Sequence, residues 1–190
     1  MPLLRRLLET FAVWWPAPRV IQDRRGAGPY LSRWYLVGTP PSINDHGDPT
    51  PDHERNQDAW QLYLHRFHRG DDDAALHNHP WRWAVSWILV GGYTEERRVR
   101  DGVPFLTDIF GSHQATEPEY AIDSVERTVV RPGTLNVLLA DTFHRVDLLD
   151  GEAWSLFLVG PKIASWGFWD RTTNLYTPWR TFIERLRRTL

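Results

Sequence analysis

No cysteine occurs anywhere in the 190 residues. Disulfides, thiolate metal sites and cysteine nucleophiles are thereby excluded, and the compartment cannot be read from redox usage. Lysine is nearly missing as well: Lys162 is the sole one, and arginine carries the remaining positive charge. Neither sign of charge is in excess, the formal net charge being -2. A balanced chain has no electrostatic reason to seek nucleic acid or an anionic membrane, so neither is expected as a partner. No apolar run approaches the roughly 20 residues that span a bilayer. A soluble, cytoplasmic protein is the expectation. The length suits one well-filled core and is short for two. A single domain over residues 1–190 is therefore expected, with a barrel core at about 30–169.

What is present is aromatic. Aromatic residues make up 13% of the chain and include 11 tryptophans, a composition that favours pleated, half-buried surfaces. Tyr30 to Val37 reads as a strand. Trp60 to Phe67 reads as another, with Trp60, Leu62 and Leu64 on one face and Tyr63, His65 and Phe67 on the other. Trp83 to Val90 and Tyr93 to Arg100 follow, separated by Gly91-Gly92. Further short strands are expected at Val125 to Val130, Thr134 to Leu139, His144 to Leu149 and Trp154 to Val159. Asn44 to Asp58, with Pro49 and Pro51, reads as a loop, and a second loop is expected around Gly102 and Pro104. Many short strands at regular spacing point to a sandwich or a closed barrel.

The two ends differ from the middle. Leu3, Leu4, Leu7, Leu8 and Phe11 recur at helical spacing, interrupted by Arg5 and Arg6, and no small-residue cleavage site follows. This predicts an amphipathic helix over Pro2 to Trp14 and not a secretory signal. Trp179, Phe182, Ile183 and Leu186 sit at i, i+3, i+4 and i+7, which predicts a closing helix over Pro178 to Arg188 with Thr177 as its N-cap. The fold class expected is all-β with short helices at both termini.

Histidine carries the chemistry. His77 and His79 are two residues apart, so on a strand both imidazoles face one side and can converge on one point. Neutral imidazole binds Fe(II), Ni(II), Cu(II) and Zn(II). By itself such a pair is equally consistent with ordinary exposed or hydrogen-bonded histidines. His46 and His53 fall in the proline-containing loop, and His113 in a Gly-Ser turn, where solvation is the normal fate.

The context of the pair resembles the first motif of the cupin superfamily. Leu76-His77-Asn78-His79-Pro80-Trp81 runs into an apolar strand closed by Gly91 or Gly92, with Gly70 near the opening position. Gly133 and His144 stand at the first and last positions of the second cupin motif, while Leu139 replaces its proline and Asp141 its inner glycine; Leu148 stands where an asparagine often follows. The segment is also similar to small cupins with a histidine-pair-proline-tryptophan stretch and a tryptophan-rich tail like Ser165 to Trp169. The resemblance covers roughly Trp60 to Val159. It implies a double-stranded β-helix, the jelly-roll cupin barrel, holding one divalent metal on His77, His79 and His144.

One departure matters chemically. The glutamate ligand usual in the family would fall at Trp83 or Ala84, and neither side chain can ligate a metal. Three neutral histidines then leave the metal a net 2+ charge and about three open positions. A fourth ligand from Asp141, His65 or His68 stays open, although Asp141 also suits a turn. Trp81, Trp83, Trp87, Tyr63 and Trp154 are candidates to line the cavity, or they are ordinary barrel core. Arg66 and Arg82 are candidates to hold a substrate anion through a bidentate fork, or they are exposed. Strand register decides these assignments, because a one-residue slip reverses every face.

The resemblance implies a metal-dependent protein, foremost a non-haem iron oxygenase acting on a small anionic or chelating molecule. Three-histidine iron sites among cupins are typical of thiol dioxygenases and of some enzymes that cleave carbon–carbon bonds. The alternatives are a metal-dependent isomerase or lyase and a non-catalytic binding cupin. Fe(II) is the favoured ion, with Zn, Ni, Mn and Cu open. A homodimer is also expected from the apolar, tryptophan-rich ends.

Overall fold

The computed structural model describes residues 2–24, 28–40, 60–71, 74–99 and 125–189. The expected loops at Asn44 to Asp58 and around Gly102, together with His46, His53 and His113, lie outside them. In chain order the elements are α1 (Pro2–Trp14), β1 (Arg19–Gln22), β2 (Pro29–Val37), β3 (Gln61–Phe67), β4 (Leu76–His77), β5 (Trp83–Val90) and β6 (Tyr93–Arg98). They continue with β7 (Val125–Val130), β8 (Leu135–Leu139), β9 (His144–Leu148), β10 (Ala153–Val159), β11 (Gly167–Asp170), β12 (Leu175–Pro178) and α2 (Trp179–Thr189).

Among the described residues, twelve strands form two six-stranded sheets, ordered β1-β2-β3-β10-β5-β8 and β12-β11-β4-β9-β6-β7. Every strand pair is antiparallel. The chain passes from the first sheet to the second between β5 and β6, at Gly91 and Gly92. Both have positive φ, 74° and 150°. A Cβ on Gly91 would lie 2.1 Å from the Glu152 carbonyl oxygen, so this corner accepts only glycine.

Between the sheets, Ile88, Tyr93, Val130, Val146 and Ala153 form one buried cluster with Phe67 and Leu148 against it. These residues come from both sheets, so the sheets face each other across this core. A second cluster, Tyr63, Trp81, Ala84, Leu138, Phe157 and Val159, fills a different stretch of the first sheet's inner face. On that sheet's outer face, Trp34, Leu64, Val90 and Trp154 are covered by Leu8, Phe11 and Ala12 of α1. The helix forms because its apolar residues fall on one stripe, and it docks because that stripe meets this apolar face.

The expected helices appear at both ends, the second starting at Trp179 because Thr177 and Pro178 still pair with β11. Strands β1, β11 and β12 were not anticipated: each is only four residues long, and each lies at or next to a sheet edge.

Candidate metal centre

His77 lies in β4, a strand of just two residues. It pairs directly across from His144 of β9, and their ring centroids are 4.7 Å apart. His79 stands beyond the strand's end, not on it as the spacing predicts. Its position is fixed from both sides. Asn78, buried between the two histidines, donates through Nδ2 to the Ala140 carbonyl at 2.9 Å and accepts from the Gly167 backbone N–H at 2.8 Å. The Pro80 carbonyl accepts from the N–H groups of Ile163 and Ala164, and Trp81 forms an isolated bridge with Lys162. The middle residue of the His-x-His pair therefore staples the segment to its neighbours, a role that sequence spacing does not reveal.

The three imidazoles converge. One ring nitrogen from each of His77, His79 and His144 lies within 4.8 Å of the others. His79 Nε2 and His144 Nε2 are 2.9 Å apart. Two adjacent ligands held about 2.1 Å from one ion at a right angle would stand about 3 Å apart, so the spacing suits a shared cation. His77 Nδ1 is buried without a hydrogen-bond partner and lies 3.8 Å from Asp71 Oδ2. Burial, reinforced by the charge of neighbouring histidines, pushes His77 and His79 well below the ordinary histidine value. Both are neutral at pH 7, the form that ligates. The residues present thus fit a divalent metal of imidazole preference.

His144 is oriented by a residue that sequence reasoning missed. Its Nδ1–H donates to Glu95 Oε1 at 2.6 Å, leaving Nε2 toward the other two histidines. Glu95 is fully buried on β6. Burial alone would raise its carboxyl; the hydrogen bond and charge of His144 and the charge of Arg97 outweigh this and hold it below its usual value. Oε2 accepts from Arg97 Nη2 at 3.1 Å and from Asn136 Nδ2 at 3.0 Å. Asn136 also donates to the Tyr93 hydroxyl at 3.0 Å and accepts from Arg97. Trp83 and Ala84, where the sequence resemblance would place a carboxylate ligand, offer none, and a carboxylate from the next strand instead braces a histidine.

The side of the site beside His79 is aromatic. Trp81 stacks on His79 at 5.4 Å, and Phe157 lies 6.1 Å from it. Tyr63 and His65 stack on each other and on Phe157. Burial pushes the Tyr63 phenol up to about 12, and its hydroxyl donates to Gln61. His65 is buried and, through burial first and Arg33 second, held well below the usual histidine value.

Of Tyr63, Trp81, Trp83, Trp87 and Trp154, the residues expected to line a substrate cavity, the structure brings Tyr63 and Trp81 to this side of the site. Trp154 is fully buried on the opposite face of the sheet, stacked on Trp34 at 5.6 Å. Arg66 shares that outer face, ion-paired to Glu152 at 2.7 Å and lying over Trp154. Trp83 also points outward, in register with Val85 and Trp87, and its indole packs over Gly160. Trp87 is exposed on the same outer face. Arg82 is exposed. The reason is parity: strand alternation puts Tyr63 and Phe157 inside and Arg66, Trp83 and Trp154 outside. Asp141 is an exposed turn residue, and His68 is bonded to Ser32 Oγ at 2.8 Å, so neither joins the triad.

No protein-family model and no curated protein matches the sequence. Solved structures do show likeness. The structure of KdgF from Halomonas sp. aligns at 15% identity and a TM-score of 0.40, covering 72% of this chain and 85% of that one. DMSP lyase DddQ from Ruegeria pomeroyi DSS-3 aligns at 16% identity and a TM-score of 0.37, over 69% of this chain and 47% of that one. An oxalate oxidase aligns at 13% identity and a TM-score of 0.37, over 57% and 45%. This chain therefore spans less than half the length of the last two. On its own strand order the protein is a double-layered antiparallel β fold of two facing sheets, with the histidines of β4 and β9 brought together between neighbouring strands.

Proposed function

We propose that this protein is a metal-dependent enzyme, a non-haem iron oxygenase whose ion is held by His77, His79 and His144 and whose substrate is a small anionic or metal-chelating molecule. The observation that carries this reading is the donor set: three histidine nitrogens within 4.8 Å and no carboxylate among them. Three neutral donors leave the full 2+ charge of the ion for an anionic ligand and leave coordination positions open. A bound Fe(II) supplies Lewis-acid and redox chemistry toward dioxygen.

The chain's own residues do the rest. Glu95 fixes the tautomer and orientation of His144, and His144 itself, with Arg97 second, holds Glu95 below its usual value. Trp81 and Phe157 keep water from the His79 side of the site. A second reading, an isomerase or lyase without redox change, is favoured by Tyr63. That phenol is kept neutral, and its proton, now directed to Gln61, could pass to a substrate that replaces this acceptor.

Elemental analysis of gently purified protein, joined to oxygen uptake with Fe-loaded and Zn-loaded samples, separates the readings. Uptake that requires iron supports the oxygenase. Full turnover with zinc contradicts it and favours the isomerase or lyase. Absence of any metal at near-stoichiometric level contradicts both.

A further inference from the structure

Arg33 occupies a place that sequence reasoning assigned to Arg66 or Arg82. It lies on the inner face of β2, directly across from His65 of β3 in the strand register. Its Nε donates to His65 Nε2 at 2.9 Å. Its guanidinium carbon sits 4.6 Å over the Tyr63 ring and 6.0 Å from the Trp81 ring. Trp81 in turn stacks on His79. Arg33 is thus one aromatic ring away from the histidine triad.

Three properties make this an anion site. The side chain is half-buried, and no carboxylate pairs with it among the described residues. A guanidinium has five N–H donors. Only the Nε donor is spent on His65, so the planar end keeps the fork that grips carboxylates. The partner that anchors it is neutral, so its positive charge is left uncancelled. The buried carboxylate behind the triad, Glu95, is committed to His144 and Arg97.

From this arrangement we infer that Arg33 is the specificity-determining residue for a carboxylate-bearing substrate with an apolar body, and that His65 positions it. The carboxylate sits on the free guanidinium edge. The apolar body lies against Tyr63, Trp81 and Phe157. The remaining end of the molecule reaches the triad, and this last clause rests on the metal reading above. His65 acts through Arg33 and not on the substrate: accepting from Nε, it fixes the plane of the guanidinium.

The test uses calorimetric titration of the full chain with acetate, benzoate and phenylacetate, each against its primary amide, in metal-loaded and metal-free protein. The expected result is a preference for at least one carboxylate over its amide of about tenfold or more, persisting without metal, as fits a charge-assisted hydrogen-bonded pair. Arg33→Gln should abolish the preference, and Arg33→Lys should keep part of it, both with wild-type metal content. His65→Phe, which keeps the ring stacking but loses the acceptor, should weaken carboxylate binding. His65→Gln, which can still accept, should restore it. A carboxylate preference undiminished in Arg33→Gln, or no preference for any member in wild type, overturns the inference. Equal binding by His65→Phe and wild type overturns the positioning role. A preference that depends on Arg33 in a protein that takes up no metal leaves this site standing and removes the metal reading instead.

Discussion

The two faces of the first sheet share the same strands and differ in kind. On the inner face, Tyr63 and His65 of β3 and Phe157 of β10 form an aromatic wall that includes Arg33. Polar atoms there are left over: His65 Nδ1 is buried without a partner, as is Ser155 Oγ. On the outer face, Leu64, Trp154 and Trp34 pack under α1, and the charges of Arg66 and Glu152 are joined. Among the described residues, the Trp34 indole nitrogen alone is buried and unpartnered there. Buried polar groups in a folded protein are normally satisfied. The proposed ligand site lies on the inner face, which leaves two such atoms open, while the outer face contributes stability. Alternate residues of one strand thus carry separate duties.

The separation makes ordered predictions. The largest effect is expected from Glu95→Gln. It breaks the buried Glu95–Arg97 ion pair, which costs up to about 3–5 kcal/mol of stability. It also loosens His144, which lowers metal affinity about 10–100-fold. Urea unfolding and metal competition check the two parts, and wild-type affinity in a folded variant would show that Glu95 does not brace the site. Next is Trp154→Ala. Emptying that outer-face slot costs about 3–5 kcal/mol, with no loss of metal per folded molecule. Lost metal in the folded fraction would break the division between faces.

Acid acts on the inner face. His65, His77 and His79 have folded-state values depressed by burial, so the unfolded chain takes up protons first as pH falls. No stability is lost above about pH 6.5 from these groups; below it, metal-free protein loses up to about 1.4 kcal/mol per pH unit for each histidine until its folded value is reached. Glu95, depressed too, adds a further loss at still lower pH. Thermal melting of metal-free protein between pH 8 and pH 4.5 reads this, and a flat profile contradicts buried, neutral His65, His77 and His79. The smallest effect belongs to Arg66→Gln on the outer face. Its pair is one-third exposed on the arginine side, so about 1 kcal/mol or less is expected, with metal content unchanged.

Much of this architecture was legible in the sequence. The alternation in Trp60 to Phe67 placed Tyr63, His65 and Phe67 together, and the structure keeps that face. The spacing from Gly133 to His144 delivers a histidine to the strand beside His77. Tryptophan misled, because bulk alone does not say which side of a sheet it fills: Trp81 lines the site, whereas Trp83 and Trp154 do not. The bracing network was hidden by its composition. Thr94-Glu95-Glu96-Arg97-Arg98 reads as a solvated charged strand, and its neighbour Glu96 does pair with Arg127, Arg145 and Arg171. The available signal was parity. Tyr93, Glu95 and Arg97 share one face, and opposite charges two apart behind a buried tyrosine mark an inward pair. Arg33 was hidden because only the β2–β3 register sets it opposite His65.

The most direct test of the account is metal content measured on purified wild type and on His77→Ala, His79→Ala and His144→Ala, each with its thermal melt. The predicted result is near one equivalent in wild type and most of it lost in each variant, with the barrel still folded because burial of its core, not the ion, holds it together. Full retention in His144→Ala beside loss in His77→Ala would contradict the three-histidine centre, and wild-type content in all three would leave these histidines as cavity wall alone.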